Sequence, residues 1–138
     1  MSEIMKMCVP GKPEYVRTVR MTAASIASGA GFDIEAIEDI KVAVSEACNN
    51  TVVHTRESNI TDYSVEFERE EKKLTITVID AGPGYDTEAY EEPVIDEPRS
   101  GGLGLFIIRA LMDEVDVVSK PGVGTNIRMT KYISKDIA

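Results

Sequence analysis

The sequence predicts a two-layer α/β sandwich, a mixed but mostly antiparallel sheet with its helices on one face. Three observations carry this expectation. Apolar residues recur at helical spacing in two long stretches of the first half of the chain. After Arg56–Asn59 the apolar period changes from about 3.6 residues to about 2. The strands that follow arrive in pairs, which favours antiparallel neighbours over a parallel βαβ sheet. The element order is β-α-α-β-β-loop-α-β-β, and one domain over residues 1–138 accommodates it.

Weak alternation of Ile4, Met5, Met7 and Val9 marks a first strand, stopped by Pro10-Gly11. Pro13 suits the first position of a helix that runs to about Ser28 and buries Val16, Val19, Ala23, Ile26 and Ala27. Arg17 and Arg20 point away from that stripe, and Gly29-Ala-Gly31 ends the helix. Asp33 is a fitting N-cap for the next helix, with Glu35 well placed in its first turn.

That second helix is the stretch around which the chain is organised. Ile37, Ile40, Val44, Ala47, Cys48 and Thr51 form one buried stripe. Glu46, Asn50 and His54 follow one another on consecutive turns of the other side, beside Val42, Ala43 and Val53. Polar groups stacked among apolar ones are unusual for a solvated face, so this row is read as facing a ligand.

Tyr63, Val65 and Phe67, then Leu74, Ile76 and Val78, alternate with polar residues around a turn at Glu70–Lys72. The second of these strands ends at Asp80-Ala-Gly82-Pro-Gly84. Residues 85–100 are acidic, contain Pro93 and Pro98, and read as a long functional loop. Ser100-Gly-Gly-Leu-Gly104 opens a helix from about Leu105 to Met112. A strand over Val115–Val118, a turn at Pro121–Gly124 and a last strand from Thr125 to Tyr132, with Ile127 and Met129 inward, complete the chain.

Composition narrows the function. The apolar fraction of 43% and charged fraction of 28% are globular values, so disorder is not the expectation. A net charge of −9 argues against direct nucleic-acid binding, which needs a clustered basic surface. The longest apolar runs are too short to span a bilayer, and the N-terminus lacks a signal peptide's layout. Cys8 and Cys48 read as small buried hydrophobes in a reducing compartment. The expectation is a soluble cytoplasmic protein.

Several motifs can carry chemistry. An aspartate where a strand meets a glycine loop, as at Asp80, can accept a hydrogen bond from an exocyclic amine, while the glycines let a planar base approach the backbone. A β-turn with an Asx-type bond explains the same residues. Glycines opening a helix at 101–104 leave N–H groups free for phosphate, or serve as a hinge. The spacing is neither that of a Walker A loop nor that of a Rossmann turn. Glu46 and Asn50 can divide labour around a metal-bound phosphate: the amide oxygen suits Mg²⁺ and the carboxylate can take a proton from a hydroxyl. A solvated helix face is the plain alternative, and His54 is read as packing or capping.

Taken in order, Glu-x3-Asn on a helix, Asp-x-Gly-x-Gly after a strand, a long loop, Gly-x-Gly opening a helix and Gly-Thr before a final strand resemble the ATP-binding fold shared by gyrase, Hsp90, histidine kinases and MutL. Lys12–Val16, Ile37–Asn50, Ser100–Leu105, Leu111–Val115 and Met129–Tyr132 narrow the likeness: nearly the whole chain resembles the bacterial anti-sigma factor serine-protein kinases, closest to the anti-sigma-B type. The resemblance implies a histidine-kinase-like ATPase fold binding ATP or ADP with Mg²⁺. It implies that Glu46 is the general base and Asn50 the Mg²⁺ ligand. Asp80 would meet the adenine amine beside Gly82 and Gly84, with Thr125 supporting it. Residues 85–100 would be the ATP lid. Gly102, Leu103 and Gly104 would offer phosphate-binding amides, with Arg99 as a further phosphate contact. Arg20 would touch a partner. The implied partners are a sigma factor, a STAS-type anti-sigma-factor antagonist phosphorylated on serine, and a second copy of the chain. Two rivals stay open: the same fold sequestering a partner without kinase activity, and a partner-switching kinase whose output is not a sigma factor. The sequence departs from many relatives at Tyr85, at the duplicated amide of Asn49, and in the acidity of the loop.

Overall fold

A computed structural model describes residues 2–57, 62–80, 102–120 and 124–133. Strand β1 (Glu3–Pro10) leads through a short 3-10 turn at Pro13–Tyr15 into helix α1 (Val16–Ala30) and then α2 (Ile34–Glu57). Strands β2 (Asp62–Arg69) and β3 (Lys73–Asp80) precede helix α3 (Gly102–Leu111), and β4 (Glu114–Lys120) and β5 (Gly124–Tyr132) follow. The five strands lie in the order β1-β2-β3-β5-β4, and all four pairings are antiparallel. The expected mixed sheet is therefore wholly antiparallel, because the crossover through α3 enters at an outer strand rather than beside a parallel neighbour.

Alternation explains which face is covered. Val9, Tyr63, Val65, Phe67, Leu74, Ile76, Val78, Ile127 and Met129 are buried, and cross-strand register sets them side by side on one face. Against them pack Val16, Val19, Ala23 and Ala27 of α1, Ile40, Val44, Ala47 and Cys48 of α2, and Leu105 and Ile108 of α3. The opposite face carries Lys6, Glu66, Glu68, Thr77, Asp116 and Arg128. Cys8 falls there too and is exposed, unlike the buried residue expected; only Cys48 is buried. Burial pushes the Cys48 thiol up to about 12, with the nearby Tyr63 hydroxyl opposing the shift. The Tyr63 hydroxyl is pushed up by burial and then by Cys48.

Helix ends follow their local chemistry. Gly31 adopts a left-handed φ of 102°, which a side chain would resist, and the Phe32 N–H returns to the Ala27 carbonyl to close α1. The Asp33 carboxylate accepts the Ala36 N–H at 2.8 Å and starts α2. Helix α3 includes Gly102, beginning about a turn before Leu105, because packing against α2 outweighs glycine's poor helix propensity.

Candidate active site

The Asp33 cap starts α2, and the i, i+4 spacing puts Glu46 and Asn50 one turn apart on the side away from the main stripe. Ala43 beside them is fully buried, and Val42 and Val53 are exposed. Glu46 is half-buried, whereas Asn50 is 7% exposed. The Asn50 Oδ1 atom has no hydrogen-bond partner among the described residues. Leaving a buried amide oxygen unpaired costs about 1–3 kcal/mol. Native proteins keep such an atom where an ion, a water or a chemical role uses it. The side chain of His54 lies outside the described residues.

The first turn of helix α3 comes up to this row. A Cβ built on Gly104 would lie 3.2 Å from Glu46 Oε2 and 3.9 Å from the Glu46 Cβ and carbonyl oxygen. A side chain there would make the carboxylate give way by a few tenths of an ångström, so glycine suits the close approach of α3 to Glu46. The amides of Gly102, Leu103 and Gly104 belong to that turn and have no carbonyl one turn back within the helix. No acidic residue sits in the first turn, and Arg109 stands in the last, so the positive end of the helix dipole is open to an anion.

A second polar group forms at one end of the sheet. Asp80, 2% exposed, is the last residue of β3, and register places it opposite Thr125 of β5. Thr125 faces Ser119 of β4, their hydroxyls 2.8 Å apart. The three side chains make a buried polar row on a face that is otherwise apolar. Ser119 was not singled out from the sequence, though the alternation Val115, Val117, Ser119 carries a signal: an inward position turns polar where the row begins.

The remaining expectations divide. Arg20 is half-buried on α1 rather than on its exposed side, since it lies beside the stripe formed by Val16 and Val19. Gly82, Gly84, Arg99 and the acidic loop 85–100 lie outside the described residues. Among the described residues no three His, Cys, Asp or Glu side chains group to hold a metal. A single amide oxygen nevertheless fits Mg²⁺, which takes few protein ligands and completes its shell with phosphates and water.

The profile of the histidine kinase-like ATPase domain matches residues 9–131. The serine-protein kinase RsbW of Staphylococcus aureus is 41% identical over 144 residues, covering 97% of this chain and 89% of that protein. The RsbW of Bacillus subtilis is 37% identical, covering 96% and 88%. The chain belongs to the RsbW family of serine-protein kinases, within the histidine kinase-like ATPases. Solved structures agree on the fold. The RsbU and RsbW domains of Rv1364c from Mycobacterium tuberculosis superpose with a TM-score of 0.73 at 21% identity, over 97% of this chain and 33% of that one. A chain of the SiaB–SiaC complex from Pseudomonas aeruginosa gives 0.66 at 13% identity, over 90% and 88%. In this RsbW-family chain the candidate site residues Glu46 and Asn50, Asp80, and Gly102 to Gly104 stand on α2, at the end of β3 and on the first turn of α3. None of the described helices is long and apolar enough to cross a membrane.

Proposed function

We propose that this protein is an anti-sigma factor and ATP-dependent serine-protein kinase: it sequesters a sigma factor and phosphorylates a STAS-type anti-sigma-factor antagonist on serine, acting as a homodimer in the cytoplasm. The observation that carries the kinase reading is the contact of Gly104 with Glu46. It puts a carboxylate beside the amides best suited to hold a phosphoryl group.

Glu46 takes the proton from the substrate serine hydroxyl as that oxygen attacks the γ-phosphorus of ATP. The bond from the γ-phosphorus to the bridging oxygen breaks, ADP leaves, and the proton stays on Glu46 until solvent removes it. The amides of Gly102, Leu103 and Gly104 hold the phosphate oxygens, where charge stabilisation is the main catalytic contribution available to a protein. Asn50 would hold Mg²⁺ through Oδ1, and the ion when bound neutralises charge on the phosphates. Asp80, seated by Thr125, would accept the adenine amine beside Gly82 and Gly84. Arg99 as a phosphate contact, residues 85–100 as the lid and Arg20 as a partner contact rest on the sequence resemblance.

The Glu46→Gln variant keeps shape and removes the base. It is expected to bind ATP like the wild type, in a fluorescent-nucleotide titration, and to lose phosphoryl transfer to the antagonist by about 10²- to 10⁴-fold. Transfer at the wild-type rate would remove Glu46 from the mechanism. Affinity capture with ADP and with ATP tests the partners: a sigma factor retained with one nucleotide supports the anti-sigma reading, and a STAS partner alone points to another output.

A further inference from the structure

The two helices of the site are related at two points, directly at one and through β5 at the other. At one end Gly104 closes on Glu46. At the other the Lys131 ammonium, reaching in from β5, donates to the Leu111 carbonyl at the end of α3 and lies 3.6 Å from Asp39 Oδ2 of α2. Asp39 and Glu46 are seven residues apart on α2, and Gly104 and Leu111 are seven apart on α3. Since Gly104 meets the later α2 residue and Leu111 the earlier, the helices run antiparallel, and each span is about 10.5 Å. Asp39, Glu46 and Asn50 fall within one narrow sector of α2.

We propose that Lys131 is a positioning residue for phosphoryl transfer. By tying the last carbonyl of α3 to Asp39, it holds Gly104 and the neighbouring amides in register with Glu46 across two turns of helix. The proposal rests on the kinase reading above. A cation at a helix C-terminus satisfies a carbonyl that has no partner within the helix and opposes the negative end of the dipole. Lys131 is well placed for it, since its side chain is only 15% exposed. The exit from α3 is held as well: the Asp113 N–H donates to the Thr130 carbonyl at 2.9 Å, and Asp113 Oδ2 accepts the Tyr132 N–H at 2.7 Å. The far end of α3 is thus fastened to α2 and β5, while its near end lies close to the Glu46 carboxylate. An error of about 1 Å in reacting geometry can cost on the order of a hundredfold in rate.

The test compares wild type with Lys131→Met, which keeps the stem and removes the charge, and Lys131→Arg, which restores a donor. For Lys131→Met, KM for ATP is expected to rise about three- to tenfold, in line with a partly buried charge at a helix end. The rate constant should fall by about tenfold or more through lost alignment. Lys131→Arg should recover most of both, and Asp39→Asn should show a smaller rise in KM. Amide exchange in α3 of the nucleotide-free protein should quicken in Lys131→Met while β2 and β3 stay protected. Kinetic constants within about twofold of wild type, or a loss accounted for by the unfolded fraction alone, would overturn the proposal. If Lys131→Met does not fold, Asp39→Asn decides, and an unchanged KM overturns it. A wild-type protein that neither binds ATP nor transfers phosphate overturns the kinase reading and the catalytic role with it; exchange in α3 then reports the anchoring by itself.

Discussion

On the side of α2 turned to the core, Ile40, Val44, Ala47 and Cys48 are fully buried, and Thr51 donates its hydroxyl to the Ala47 carbonyl at 3.0 Å. On the side turned to α3, Asn50 is buried with an oxygen that no described residue satisfies, and Glu46 stays half exposed. The first side obeys the rule that buried groups are apolar or paired. The second breaks it on the same turns of the same helix. The difference separates residues that hold the fold from residues that the proposed mechanism uses, and it can be broken experimentally from either side.

The largest effect should come from the core side. Ile40→Ala leaves a cavity beneath the sheet and is expected to cost about 2–5 kcal/mol, read as a lower denaturant midpoint. ATP affinity of the fraction that remains folded should be near wild type. A loss of affinity larger than the loss of stability would mean that the two sides are not separable.

Next comes the other side. Asn50→Ala removes a polar atom that no described residue pairs, so stability without nucleotide should change by less than about 1 kcal/mol, or rise. Mg²⁺-ATP raises the melting temperature of any protein that binds it, and that rise should vanish in the variant. Destabilisation of several kcal/mol in the nucleotide-free protein would show Asn50 to be a structural residue.

The smallest effect concerns Cys48. Its thiol moves from 9.0 to about 12 on folding, so between those values the folded chain keeps a proton that the unfolded chain has lost. Stability from this group is complete below pH 9 and declines as pH rises toward 12. The urea midpoint should therefore fall more from about pH 8 to about pH 10 in wild type than in Cys48→Ala. Equal slopes would contradict the burial of the thiol. Cys8, being exposed, should react with a thiol reagent in the native protein while Cys48 stays protected.

These comparisons also show what the sequence made legible. The strands from Tyr63 to Val78 and the core stripe of α2 were readable because alternation and helical spacing are local. Glu46 and Asn50 were readable as a pair for the same reason. The contact of Gly104 with Glu46 was not, because it depends on how α3 crosses α2. Asp39 and Lys131 meet only after the whole sheet is assembled, and each alone looks like an ordinary surface charge. Ser119 became part of a polar row only through its register with Thr125. Cys8 was misread as buried because an edge strand with mixed apolar character does not reveal which of its faces the helices cover.

Strand β3 ends at Asp80 and β5 begins at Gly124, and the two are hydrogen-bonded neighbours along their whole length. Helix α3 therefore belongs to a connection that leaves the sheet at the end of β3 and re-enters it at β4, with β5 lying between the two strands. Lengthening such a connection is cheap, about 0.6 kcal/mol of closure entropy for each doubling. An insertion between Asp80 and Gly102 is thus expected to leave the pairing of every described strand in place.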